Sequence, residues 1–457
     1  MNRVVLLVVV LLILAAGGGA TAVWWWLRPP EPEWTSASPR AIRKLETGLA
    51  DLAKMYAVDA VRSFEEALEL DPSFAMPKLH LALLYPSRSE RMRMVNALRE
   101  VELEALTPRE RFLLSYELAR FDGREGDASQ ALETFRERDP EDPYGIRVQC
   151  RVYWEAQKWD AAEECYHHLL ALHPNWVEAH NNLGYIAMGR GRFTEAEERF
   201  QTYRYLAPDQ ANPRHSLAML LTVLGRYEEA QAEIDEMVTI KADFCDAYTQ
   251  KIELGMMSGQ LELARGGLEQ LRSIEACSYL QDHGAMCSLE AWVLYLDGEL
   301  EAARQHLTGS CLERLDGFDL LAHRLAVMNG DAEQVAEMEQ KLRHYLDKVV
   351  AAERPIHAQF LESLLAHMRG IQALAAGDYR AASEALTQAD QGLGYWGGER
   401  ANIKLFNQLN LLRTLELGGR AEQAAAVRRS IDAVNPRLIE AFPLPDVIMP
   451  SSAALGP

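Results

Sequence analysis

Apolar positions along this chain repeat at helical spacing inside a longer period. Four alanines, Ala162, Ala196, Ala230 and Ala264, stand 34 residues apart. Each has an aromatic residue or Leu three positions before it (Trp159, Phe193, Tyr227, Leu261) and an aromatic or aliphatic residue four after it (Tyr166, Phe200, Ile234, Leu268). Spacings of three and four gather these side chains on one face of a helix. Gly191, Gly225 and Gly259 fall five residues before their alanines, where a glycine turn at positive φ can join two helices. The pattern therefore predicts an all-α chain of antiparallel helix pairs, one pair per period. Acidic pairs such as Glu65-Glu66, Glu163-Glu164 and Glu197-Glu198 recur at one phase and mark an outward helical face.

The stretch WVEAHNNLGYIAMGRGRFTEAEERFQTYRYLAPDQ, from Trp176 to Gln210, resembles the tetratricopeptide repeat. Leu183, Gly184, Ala196, Phe200 and Pro208 fall on motif positions 7, 8, 20, 24 and 32 of that family. The resemblance implies a right-handed superhelical solenoid. Small residues at positions 8 and 20 let the two helices approach, the residues at 24 and 27 fill the space beside them, and proline at 32 ends the second helix. Regular units are expected at 143–176, 177–210, 211–244 and 245–278. Another spans 41–74 with Gly48, Ala60, Phe64, Ala67 and Pro72 in register, followed by helices that must break near Pro77 and Pro86. A unit also runs from Phe112 through Ala131 and Phe135. After 278 the phase slips by five residues, with weak units around Ala303 and Val335 and clearer ones at Gly370, Tyr379, Ala382 and Leu386 and at Gly419, Ala424 and Pro436.

This organises the chain as follows: an N-terminal transmembrane helix as anchor at 1–28, a Pro-rich linker at 29–40, degenerate repeats over 41–142, four regular units over 143–278, irregular repeats over 279–440 and an extended tail over 441–457. Val4 to Leu27 carries no charge and is bracketed by Arg3 and Arg28. As a helix it would reach about 36 Å against a hydrocarbon core of about 30 Å, with Trp24, Trp25 and Trp26 at the interface. A cleaved signal peptide is the alternative, since Ala20-Thr21-Ala22 has the small-x-small form of a cleavage site.

The net charge is −20, and with only Arg3 and Arg28 in the first 28 residues, the rest of the chain carries −22. That balance opposes nucleic-acid binding, which needs a basic face. Two signals bear on membrane orientation and disagree. Arg28, Arg40, Arg43 and Lys44 beyond the apolar run favour a cytoplasmic solenoid. The cysteines favour the periplasmic or outer side: Cys150 with Cys165, Cys245 with Cys277 and Cys287 with Cys311 each fall at similar heights of one antiparallel hairpin, where a disulfide could form. Burial as small apolar residues is the alternative for each. A metal set of Cys150, Cys165 and His168 lacks a fourth ligand at fixed spacing, and no metal or cofactor is expected.

Phosphate-loop, HExxH, GxSxG and CxxC motifs are absent, so no catalytic residue is nominated. The family resemblance instead points to the inner surface, lined by motif positions 2, 5, 6, 9 and 12 of each first helix. That gives Arg147, Arg151, Asn181, Asn182, Tyr185, His215 and Ser216 as candidate groove residues. Amides can pair with a peptide backbone and guanidiniums with a carboxylate. Arg147, Arg151 and Asn182 are similar to the carboxylate clamp of some tetratricopeptide co-chaperones, whose basic residues are missing at Asn212 and Ser216. The segments TPRERFLLSYELARFDGREGDASQALETFRERDPEDP and FEEALELDPSFAMPKLHLALLY resemble repeat modules attached to bacterial membrane kinases and regulators. The expected function is a membrane-anchored scaffold or assembly factor for protein partners in the bacterial envelope. The alternative is a regulatory domain that binds a small ligand or peptide.

Overall fold

The computed structural model describes residues 33–85, 87–281, 284–309, 311, 319–351, 354–395 and 399–442. The apolar segment 4–27, Pro86 and the tail from 443 lie outside them. Among the described residues all regular structure is helical. No helix there is long and apolar enough to cross a membrane.

The chain divides into two units. One ends at Leu52 and resumes over Asp59–Asp139; the other takes Ala53–Val58 and the chain from Pro140. The first contains α1 (Pro39–Ala53), α2 (Ala57–Leu70), α3 (Ala75–Leu84), α4 (Arg88–Arg99), α5 (Pro108–Phe121) and α6 (Glu125–Arg138). Its core gathers Trp34, Leu45, Phe64, Phe74, Leu79 and Leu98. The helix break expected near Pro77 takes another form: Pro77 lies in the first turn of α3, where backbone N–H groups have no partner in the helix anyway. Part of the expected linker also packs here. The buried Glu110 carboxylate accepts from the Thr35 backbone N–H (2.8 Å) and from the Thr107 backbone N–H (3.1 Å), which fixes residues 33–38 against the capped start of α5.

The second unit opens with eight helices in strict repeat: α7 (Pro143–Glu155), α8 (Trp159–Leu172), α9 (Val177–Gly189), α10 (Phe193–Leu206), α11 (Asn212–Val223), α12 (Tyr227–Ile240), α13 (Cys245–Met257) and α14 (Leu261–Ser273). The second helix of every pair starts at Trp159, Phe193, Tyr227 or Leu261, the residues that the periodicity singled out. Ala162, Ala196, Ala230 and Ala264 are fully buried. A methyl added at Gly184 would overlap the Phe200 ring, and one at Gly48 the Phe64 ring, so these two residues are small because position 24 lies over them. Overpacking such a contact costs about 1–3 kcal/mol.

Position 15 is left-handed whatever residue occupies it. Gly191, Gly225 and Gly259 have φ of +73°, +71° and +71°, and Gln157 and Met55, at the same position of their repeats, adopt +55° and +64°. The turn is thus imposed by packing of the helix pair, and glycine removes its strain. The acidic pairs are only half outward. Arg192 bridges Glu163 of the preceding repeat and its own Glu195, both at 2.8 Å, and Arg226 does the same with Glu197 (2.8 Å) and Glu229 (2.6 Å). The first glutamate of each pair is therefore an inter-repeat connector.

Beyond 278 follow α15 (Gly284–Leu296), α16 (Leu300–His306), α17 (Leu320–Met328), α18 (Ala332–Ala351), α19 (Pro355–Ala375), α20 (Tyr379–Gly392), α21 (Glu399–Leu417) and α22 (Ala421–Val434). One hydrophobic core runs from Ala187 to Phe442 and joins the later regular repeats to the irregular ones, while Ile146 to Ile186 form a cluster of their own. The irregular part adds buried polar links. Arg324 Nε donates to the Tyr295 hydroxyl (2.7 Å) and Nη1 to Asn410 Oδ1 (3.0 Å), while the His367 ring lies 2.9 Å from Asn407 Oδ1.

Candidate protein-binding groove

The seven candidate residues lie on α7, α9 and α11, the first helices of three successive repeats. They fall into two groups. At the α7–α9 junction, Arg147 Nε donates to Glu178 Oε2 at 2.5 Å, with side chains 37% and 39% exposed. Arg151 is 3.7 Å from Glu155 one turn along its own helix. Asn182 bonds the Tyr166 hydroxyl, whose pKa burial raises, so the phenol stays neutral beside the charges. Two guanidiniums, a carboxylate and an amide thus share one partly open face.

At the α9–α11 junction the candidates bond each other. Ser216 Oγ donates to Asn181 Oδ1 at 2.8 Å, and the Tyr185 hydroxyl lies 3.0 Å from Ser216 Oγ. Having given its single proton to Asn181, Ser216 accepts from Tyr185. Ser216 is fully buried, so it ties adjacent helices together and does not face a groove. Burial pushes the Tyr185 hydroxyl up to about 12 and lowers the His215 imidazole, which Asp246 only partly opposes. His215 is therefore neutral near pH 7 and packs against the Phe244 ring at 6.3 Å.

The turn side of the regular repeats is covered by the chain itself. Tyr395 N–H donates to Gly189 O (3.3 Å) and its ring meets Phe193 edge-on at 5.1 Å. Asn435 Nδ2 donates to the Tyr227 hydroxyl (3.1 Å), which in turn donates to Met257 O (2.9 Å). Arg437 pairs with Glu228 at 2.6 Å, and a side chain at Gly259 would overlap the Ala441 carbonyl. Met188, Thr222 and Met256, the inner position 12 of three repeats, are accordingly buried. Nothing in the local pattern around Asn435 or Tyr395 signals these contacts, whereas Glu178 occupies inner position 2 and was open to the same reasoning as Arg147.

The first unit carries a shallow depression of 960 Å³ lined by Trp34, Ser36, Asp71, Thr107 and Arg111 among others. Its polar groups are spent internally: Arg111 Nε donates to Leu103 O, and Asp71 accepts from Ser36 and Ser73.

Residues 149–211 and 211–236 match tetratricopeptide repeat family patterns. Tetratricopeptide repeats build this stretch. The O-mannosyl-transferase Tmtc2 of Drosophila melanogaster is 38% identical over 77 residues, 17% of this chain and 8% of that protein's length. Among solved structures, the APC/C hetero-tetramer Cut9–Hcn1 superposes with a TM-score of 0.50 at 12% identity, covering 91% of this chain and 76% of that one. The pilus biogenesis factor PilW matches with a TM-score of 0.39 at 18% identity, over 45% of this chain and 93% of its own. The Cut9–Hcn1 likeness supports the helical-repeat fold.

Proposed function

We propose that this chain is a membrane-anchored scaffold or assembly factor of the bacterial cell envelope, which holds a protein or peptide partner at Arg147, Arg151 and Asn182. The observation that carries this reading is the partly exposed Arg147–Glu178 pair on the α7–α9 face, while the turn side of the same repeats is occupied by the chain's own C-terminal region. A partner carboxylate can replace Glu178 on Arg147 and gain a bidentate contact. The uncharged run Val4–Leu27 supplies the anchor. Pairing of all six cysteines supports export of the repeats to the periplasmic side. The acidic remainder of the chain favours protein over nucleic acid as the partner.

Affinity capture of the full-length chain from its native membrane tests this reading. The Arg147→Glu, Asn182→Ala double variant is expected to lose one specific partner that the wild type retains, with unchanged helical circular dichroism. Equal capture by both would move recognition off this face.

A further inference from the structure

The three cysteine pairs are not equivalent. Cys287 on α15, His306 at the end of α16 and Cys311 just beyond bring their ligand atoms within 4.8 Å of one another. The other two pairs join no such ligand group among the described residues. His306 Nε2 is buried and lies 3.2 Å from Glu290 Oε2, one helical turn along from Cys287. A disulfide needs neither an imidazole nor a carboxylate beside it, whereas both are common ligands of a divalent metal ion.

We propose that Cys287, His306 and Cys311, with Glu290 drawn in from beside His306 as fourth ligand, form a zinc-type divalent cation site when the Cys287–Cys311 bond is reduced. Two thiolates, one imidazole and one carboxylate are a tetrahedral donor set suited to that ion. Arg272 stands 2.7 Å from the other Glu290 oxygen. With its positive charge and the dication set against two thiolates and a carboxylate, the filled site is neutral overall, which limits the cost of burying it.

The exchange is balanced. An external dithiol gives two electrons and two protons to the Cys287–Cys311 bond and becomes a disulfide itself, leaving two thiols. Metal binding then releases both thiol protons to solvent and forms two metal–sulfur bonds. Reoxidation to the disulfide expels the ion. Either state ties α15 to the segment after α16, so the staple persists while the metal load changes. A second group of possible ligands, Glu163, His167 and Glu195, does not compete on equal terms, because Arg190 and Arg192 already neutralise its carboxylates.

The test uses the purified full chain, oxidised and dithiol-reduced, with Co²⁺ as a spectroscopic probe and Zn²⁺ measured against a chromophoric chelator. The reduced wild type is expected to bind one ion with thiolate-to-cobalt charge-transfer absorption, and the oxidised chain to show none. A variant with Cys150, Cys165, Cys245 and Cys277 replaced by Ser should keep the band. His306→Ala should weaken binding by more than about 100-fold, beyond the loss expected from an outer-shell contact. If His306→Ala loses helical circular dichroism, His306→Gln carries the same expectation. A reduced wild type without the band would overturn the proposal, as would wild-type affinity in the His306 variants. Equal binding by the oxidised chain would do so too, since it would place the ion on exposed carboxylates.

Discussion

The regular repeats over 143–278 share a core with the irregular ones from Ala187 onward, but the two are specified differently. In the first, each stabilising contact recurs with the period: Gly184 under Phe200, Arg192 between Glu163 and Glu195, the left-handed turn at position 15. Each unit needs only its neighbours, the hallmark of a solenoid. In the second, buried polar residues link distant parts of the chain, as Arg324 does with Tyr295 and Asn410, and Asn435 with Tyr227. Such links are satisfied only when all partners are in place, which makes the irregular part more dependent on the whole.

Acid should break the two apart most strongly. Burial holds the His323 and His367 imidazoles down at about 4, with Arg324 also opposing protonation of His367. Unfolded histidine titrates near 6.5, so above that pH neither state is charged and the term vanishes. As pH falls from 6.5 toward 4 only the unfolded chain takes up protons, and stability is lost. A shift of this size corresponds to roughly 2–3 kcal/mol for each histidine by pH 4.5. Burial also lowers His180 and His215 on α9 and α11, so hydrogen exchange at pH 7 and 4.5, corrected for intrinsic rates, should show 320–434 opening before 143–172.

Within the regular repeats a large loss should come from opening the Cys150–Cys165 bridge, whose sequence separation is 15 residues. The double Cys→Ser variant should lose about 3 kcal/mol by denaturant titration. Asn435→Ala should cost about 2 kcal/mol by leaving the buried Tyr227 hydroxyl short of a partner, and should raise proteolytic sensitivity after Leu393. The smallest effect should be a gain: Gln157→Gly relieves a positive φ and is expected to raise stability by up to about 1 kcal/mol. A loss there would mean that the 3.5 Å contact of Gln157 with His357 matters more than backbone strain.

The same contrast explains what could be read in advance. The starts of α8, α10, α12 and α14 and the buried alanines follow from a 34-residue rhythm of small and aromatic residues, because each contact is local and repeated. Heights within one hairpin offered the three cysteine pairs but left burial as free thiols equally open. Ser216 was legible as an inner-face position yet not as a buried one, since its burial depends on Asn181 and Tyr185 reaching it from the preceding repeat. Asn435 and Tyr395 were illegible: their partners lie some two hundred residues away, and an amide or a phenol in a degenerate repeat carries no mark of such a role. The linker at 29–40 read as a spacer because proline and serine dominate it, while the buried Glu110 that secures Thr35 belongs to another helix pair.

Site-specific photo-cross-linking in the native membrane locates the partner's face, with the photoreactive residue placed at Asn182 on the inner face or at the exposed Tyr205 on the second helix of the same repeat. One discrete partner adduct is expected from position 182 and none from 205, and the 182 adduct should vanish with Arg147→Glu. A discrete adduct from 205 with none from 182 would contradict it.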